Sequence, residues 1–447
     1  MNEASTHESG LRIVVVMPNW LGDGVMATPF LQALRQRNPG AHLAALALPL
    51  IAPVVQGLTC VDELQIYDRR HEAEAIRWLK AGRFEVGYLL PNSFRSAWML
   101  RRGGVPQRLG YAREARGWLL TQRLRARKRS PEEFRIAQQR RRMQDQIAKD
   151  LRRVNDSVVT VCPQNRMYLP PLAQRCWPWR GYKPVPTIDY YLRLLDADWP
   201  GQATNAGTVA TMRRMTLTVT PEERGQAAAV LASQGVDASA TLVMLVPGAN
   251  FGSSKCWPPE RFAQVADRLM DRVGGEWGHG HQATVLLAGA PNEQPILQAI
   301  VAASQLKTLG RLIDLSALND GRGVTLGCLK GLVERCRLMI CNDTGPRHFA
   351  CALGVPVVTL FGPTDPVWAE TFYDRERQVR LEPPPPCGPC QLKRCPIDQR
   401  CLTGLTVDAV LAAAEEIWPG TDTDGAAERP EEPDVDPRLS AGSDEVA

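Results

Sequence analysis

Apolar residues in this chain come in short unbroken runs that alternate with longer stretches of helical spacing. LRIVVVMPNW (11–20) reads as a buried strand, ATPFLQALRQRNP (27–39) carries helical spacing, and AHLAALALP (41–49) is a second strand. Strand, loop, helix and strand in that order make a βαβ unit of a parallel sheet. FEVGYLLPNS (84–93) repeats the strand-then-polar-loop pattern. The alternation resumes at TLVMLVPGAN (241–250) and runs through ERFAQVADRLMDRV (260–273), ATVLLAGAP (283–291), LMICND (338–343) and VPVVTLFG (355–362). An α/β protein of two doubly wound halves is expected, joined between residues 187 and 220. The division that follows is a flexible start (1–10), an N-terminal half (11–215), a C-terminal half (216–418) and a tail (419–447).

Composition agrees with that picture and adds two features. At 447 residues with 44% hydrophobic and 23% charged, the chain is long enough for two or three globular cores. The apolar run at 11–17 is too short for a signal segment or a membrane span, and no run reaches about 18 apolar residues, so the expected location is cytoplasmic. Net charge is only +5, but Arg-rich stretches such as RLRARKR (123–129) sit in an excess of base from 113 to 153. The tail after Trp418 is acidic, lacks aromatics and is rich in Pro and Gly, which predicts disorder. Most of the twelve cysteines stand singly in apolar contexts, as reduced buried thiols do.

In open α/β sheets ligands bind beyond the carboxyl ends of the strands, and the chemistry-bearing residues fall there. Asp23 follows the first strand, Lys255 the strand ending near 246, and Glu293 the strand ending near 288. NDTGPRH follows the strand at 341, with Asn342, Asp343, Thr344 and Gly345 as turn and N-cap residues and Pro346 in the first turn. The free N–H groups of that helix favour an anion such as a diphosphate. Each residue also has a plain structural role: Asp343 and Thr344 as a cap, His348 as a satisfied surface histidine, Lys255 as a solvated cation, Asp23 as a turn residue between glycines. What favours a site is that all of them sit at strand ends of two halves able to face one another. No G-x-G-x-x-G follows the first strand and no G-x-x-x-x-G-K-[ST] occurs, which disfavours dinucleotide dehydrogenases and P-loop NTPases.

Four motifs in order, PNWLGDGVMATPFLQAL (18–34), RLGYAREARGWLLT (108–121), PGANFGSSKCWPPERFAQVADRL (247–269) and NDTGPRHFACALGVPVVTLFGPTDP (342–366), carry a specific resemblance. Together with CGPCQLKRCPIDQRCL (387–402), the chain resembles glycosyltransferase family 9, the ADP-heptose:lipopolysaccharide heptosyltransferases, and looks most like the heptosyltransferase II branch. The resemblance implies a GT-B fold, two Rossmann-like halves facing a cleft, with the acceptor on the N-terminal side and the donor held chiefly by the C-terminal half. It places the catalytic base on Asp23, the phosphate-contacting lysine on Lys255, the donor loop on Asp343, Thr344, Gly345 and His348, and a nucleoside contact on Glu293. It further implies inversion by direct displacement without a metal, a nucleotide-sugar donor such as ADP-heptose, a lipid A-core acceptor and peripheral contact with the cytoplasmic membrane face. Two departures stand out: a basic insertion at about 129–180, and Arg347, where a small or apolar residue is commoner beside the donor.

The last cysteines, Cys387, Cys390, Cys395 and Cys401, are close enough in sequence to wrap a structural zinc, with free or redox-paired thiols the alternative. A nucleic-acid-binding protein is the competing class, on the strength of the basic insertion. That stretch lacks the interleaved aromatics single strands stack on, so no nucleic acid is expected.

Overall fold

The computed structural model describes residues 10–126, scattered positions from 128 to 146, and residues 184–197, 212–274 and 283–418. The flexible start up to residue 9, almost all of the basic insertion and the acidic tail therefore lie outside the described residues.

Two six-stranded sheets form, and every strand pair in both is parallel. The first contains β1 (Arg12–Val16), β2 (His42–Ala47), β3 (Glu63–Ile66), β4 (Val86–Leu89), β5 (Gln107–Tyr111) and β6 (Gln122–Leu124), in the order β3-β2-β1-β4-β5-β6. The second contains β7 (Thr241–Val246), β8 (Ala283–Leu287), β9 (Leu312–Asp314), β10 (Cys336–Asn342), β11 (Val357–Leu360) and β12 (Glu376–Val379), in the order β12-β11-β10-β7-β8-β9. Read from its own first strand, the second order is the same as the first. Each sheet reverses direction of growth beside its first strand, and that reversal opens a crevice at the carboxyl edge. β1 and β7 flank it.

The central strands are the apolar runs that the sequence offers. Val14, Val15 and Val16 of β1 and Leu242, Val243, Met244 and Leu245 of β7 are fully enclosed, as strands covered by helices on both faces must be. The helix Thr28–Arg37 buries Phe30, Leu31, Ala33 and Leu34 against the first sheet, and Pro259–Gly274 buries Phe262, Val265, Ala266 and Leu269 against the second.

The halves touch through two short helices, Leu21–Met26 after β1 and Gly345–Ala352 after β10. Both contacts are made at glycine. A Cβ on Gly22 would sit 2.6 Å from Cδ2 of His348, and one on Gly345 would sit 3.0 Å from Cδ2 of Leu21. A second link lies farther out, where the Lys330 ammonium, fully buried, donates to the Pro53 carbonyl at 2.8 Å and pairs with Glu223 at 2.9 Å. The helix Thr187–Leu192 rests on the N-terminal half, where Tyr111 stacks on Tyr190 with centroids 3.7 Å apart, and Thr187 donates across to the Trp368 carbonyl.

Candidate active site

Asp23 lies in the first turn of the helix Leu21–Met26, half-buried where the halves meet. Burial raises its carboxyl and Asp343 adds to the rise; Lys255 opposes both, leaving it at about 6. A carboxylate with that affinity is suited to hold and release a proton near neutral pH. Tyr191, from the helix Thr187–Leu192, is buried close enough for Asp23 to help hold its phenol protonated, after burial itself.

Across the seam, the turn Ser253–Lys255 carries Lys255 to the end of β10. Its ammonium donates to Oδ2 of Asp343 at 2.5 Å and to the Asp343 carbonyl at 3.1 Å, and lies 5.0 Å from the Phe251 ring centroid. Asp343 also accepts from Thr364 Oγ1 at 2.8 Å, so the FGPT loop after β11 is tied to the same point. Burial alone would raise the Asp343 carboxyl, but Lys255 and Arg347 outweigh it and hold it well below the usual carboxylate range. Asp343 is therefore a fixed anion and Asp23 a titratable one, two carboxylates driven apart by their surroundings.

Asn342 fixes the strand end itself. Its side chain donates to the Pro247 carbonyl at 2.6 Å and accepts from the Trp257 N–H at 3.3 Å, which locks the loop after β7 to the end of β10. Thr344 is the N-cap residue of Gly345–Ala352 in extended conformation, but its side chain makes no capping bond. The cap chemistry expected of Asp343 and Thr344 is thus not spent on the helix: Asp343 is bound by Lys255 and Thr364, and the first N–H groups have no side-chain acceptor from Thr344.

His348, read from sequence as a surface histidine or a donor contact, is 3% exposed and packs its ring on Gly22. Burial, then the nearby Arg347 charge, lowers it to about 3, so the ring is neutral, and its buried Nδ1 has no hydrogen-bond partner. Glu293 lies at the neighbouring strand end, its carboxylate over Gly248, where a Cβ would come within 2.2 Å, and it accepts from the Ala290 N–H at 2.8 Å. Burial raises its carboxyl above the ordinary value.

Arg347 lies against the site residue Asp343, its guanidinium 3.5 Å from the Asp343 carboxylate. It is fully buried beneath the site, bound in a fork by Glu376 at 2.5 and 2.9 Å, and faces the Phe361 ring at 4.9 Å. Glu376 also accepts from Thr359 at 2.6 Å and Thr371 at 2.5 Å, so the buried pair is satisfied on both sides. Sequence reading missed Glu376 because nothing in ERQV marks one glutamate of an edge strand as a buried counterion.

The cysteine loop has a position that its sequence did not disclose. Ser254 Oγ donates to the Leu392 carbonyl at 2.5 Å and Ser254 N–H to the Lys393 carbonyl at 3.2 Å. One amide nitrogen of Gln399 reaches the carbonyls of Ser253, Ser254 and Cys256 at 3.0, 3.2 and 2.8 Å. Gly252, at φ +149°, is pressed so closely on Lys393 that a Cβ would lie 2.2 Å from its carbonyl oxygen, so only glycine fits. The segment holding Cys387, Cys390, Cys395 and Cys401 thus forms the wall behind Lys255. All four thiols are free, and among the described residues no three Cys, His, Asp or Glu side chains gather to hold a metal.

Two parallel Rossmann-like halves that meet at such a cleft make up the GT-B architecture. The family model described as "Glycosyltransferase family 9 (heptosyltransferase)" matches residues 214–400 of the chain. Lipopolysaccharide heptosyltransferase 2 of Escherichia coli K12 is 23% identical over 385 residues, covering 83% of this chain and 88% of that one. Among solved structures, E. coli ADP-heptose lps heptosyltransferase II superimposes with a TM-score of 0.63 at 21% identity, covering 91% of this chain and 98% of the other. A family 9 glycosyl transferase from Veillonella parvula gives 0.64 at 21%, covering 92% and 98%. These two likenesses establish the fold. Among the described residues no helix is long and apolar enough to cross a membrane.

Proposed function

We propose that this chain transfers a heptose from ADP-heptose to the inner core of lipopolysaccharide, on a lipid A-linked acceptor at the cytoplasmic face of the membrane. The observation that carries the reading is the opposition of Asp23, lifted to about 6, and the Lys255–Asp343 pair across one seam. Relatives across most of the chain are lipopolysaccharide heptosyltransferases, which supplies the substrate class.

The carboxylate of Asp23 takes the proton of the acceptor hydroxyl as its oxygen attacks the anomeric carbon. The bond from that carbon to the diphosphate oxygen breaks, and ADP leaves with the electron pair, inverting the configuration. The countercharge comes from Lys255 and the N–H groups opening Gly345–Ala352, at Thr344 and Gly345. An ammonium has three donors, and Asp343 takes two, which leaves one for a phosphate oxygen. No metal cofactor enters this reading. Glu293, over Gly248 on the C-terminal half, is assigned to the nucleoside, and His348 to the seam next to the donor.

The test is incubation with a panel of nucleotide sugars, following ADP or UDP release with and without Kdo-bearing or heptosylated lipid A. ADP release from ADP-heptose that depends on acceptor is expected. Release of UDP from a UDP-sugar instead would sink the heptose assignment.

A further inference from the structure

The helix Phe94–Arg102, sequence FRSAWMLRR, satisfies its core side with Ala97, Met99 and Leu100, all buried. Its outer face mixes arginines with large aromatic rings. Phe94, Trp98, Arg101 and Arg102, spaced four, three and one apart, make one outward stripe, with Phe94 41% and Trp98 39% exposed. Trp118, 60% exposed on the loop after β5, joins them with its ring centroid 5.9 Å from Phe94 and 6.5 Å from Trp98, and Arg101 lies 5.9 Å from it. Folding does not require three large rings in water at one place.

Base surrounds the rings. Arg95 pairs with Glu72 and donates to the Arg69 carbonyl, which draws the exposed turn Arg69–His71 alongside. The patch also has a direction. β1, β4 and β5 are parallel, so the segments after them, bearing Asp23, Phe94 and Trp118, leave the sheet at the same edge. Trp20, 57% exposed, leaves there too.

We propose that this aromatic and arginine patch docks the N-terminal half on an anionic phospholipid surface. The inference rests on the transfer reading only for the identity of the acceptor. Indole and phenyl rings suit the boundary between headgroups and acyl chains, and arginines suit anionic headgroups. A lipid-anchored acceptor would then reach Asp23 from the surface on which the enzyme already rests.

The full chain is sedimented with vesicles of phosphatidylcholine alone and of phosphatidylcholine with phosphatidylglycerol, at low and high salt. Wild type should bind the anionic vesicles, and less so as salt rises. Trp98→Ser/Trp118→Ser and Arg101→Glu/Arg102→Glu should each weaken that binding on the order of tenfold or more, with melting temperature and ADP release on a deacylated, water-soluble acceptor unchanged. Equal binding by wild type and both variants overturns the proposal, as does a wild type that ignores the vesicles. Loss of a concentration-dependent dimer in the variants with vesicle binding intact would assign the patch to a second copy of the chain and overturn it likewise. Vesicle binding without turnover of ADP-heptose would instead remove the transfer reading and leave this surface standing.

Discussion

Lys255 donates to both the carboxylate and the backbone carbonyl of Asp343, so the cation assigned to the leaving group is held in place by an anion of the same loop. Removing it has two separable consequences. Lys255→Ala should weaken ADP binding by on the order of 1 to 3 kcal/mol, the range for a charge-assisted hydrogen bond, while adenosine binding changes little. Raising ionic strength should weaken ADP binding more steeply in wild type than in the variant. Asp343 meanwhile loses the larger of its two charge partners. Its folded carboxyl lies below the ordinary 3.8, so its contribution to stability is present above 3.8 and is lost as pH falls through the lowered value. Acid melting curves of the variant should therefore be flatter below pH 4 than those of wild type. Equal loss of ADP and adenosine affinity would make Lys255 a support of its loop and leave the helix end to hold the diphosphate.

Asp23 is lifted rather than lowered, and the sign reverses. With a folded value of about 6 against 3.8, its contribution to stability is present below 3.8 and disappears as pH rises through 6. Asp23→Asn should melt higher than wild type above pH 6 and no higher near pH 4. The same substitution should lower turnover by about 10²-fold or more and abolish the acid limb of the rate profile near pH 6, with donor affinity little changed. Unaltered turnover would remove Asp23 from the mechanism.

Gln399 braces the turn that carries Lys255. Its amide ties the carbonyls of Ser253, Ser254 and Cys256, on either side of Lys255, to the cysteine loop, so Gln399→Ala should raise the ADP dissociation constant several-fold, a loss of roughly 1 kcal/mol. Adenosine binding distinguishes the roles: it should stay near wild type if Gln399 positions Lys255, and fall in step with ADP if the whole lobe is loosened.

For the four cysteines of that loop, metal analysis of protein purified under reducing conditions separates the two readings of the sequence: free thiols should give far less than one zinc per chain. All four should react with a thiol reagent after unfolding. About one zinc per chain, lost to a chelator along with ADP affinity, would show instead that the loop closes round a metal behind Lys255.

The pattern of apolar runs located the strands that carry the site, because central strands of a parallel sheet are buried on both faces and must be apolar throughout. It passed over the inner strand β5 (QRLGY), whose first half is polar, and over β3 (ELQI), β6 (QRL), β9 (LID) and β12 (ERQV), which are short, partly exposed edge strands whose residues alternate no more than a loop does. Asp23, Lys255 and Asp343 were legible for a topological reason: strand ends converge wherever the sheet is parallel. Their partners were not. The fork between Arg347 and Glu376, the approach of Tyr191 to Asp23 and the brace from Gln399 to the Lys255 turn join residues 29, 168 and about 145 positions apart. Spacing along a chain carries no record of such contacts, and a histidine such as His348 looks alike in sequence whether it faces water or a glycine.

Gly22 tests whether the seam itself is part of catalysis. A methyl group there would lie 2.6 Å from Cδ2 and 2.9 Å from Nε2 of His348, well inside contact distance. The ring has nowhere to retreat at 3% exposure, so the helix Leu21–Met26 must move off Gly345–Ala352. Asp23 rides on the moving helix while Lys255 and Asp343 stay with the other half. A displacement near 1 Å costs about 10²-fold in rate where geometry sets the barrier. Gly22→Ala should therefore lower turnover on that scale and leave ADP affinity, which the transfer proposal assigns to the C-terminal half, close to wild type. Gly22→Ala combined with His348→Ala supplies the control, because the smaller side chain makes room for the methyl group. Recovery of turnover in the double variant relative to Gly22→Ala would show that the loss came from this one collision. Wild-type turnover in Gly22→Ala alone would mean that the reaction proceeds with the halves farther apart than they stand here.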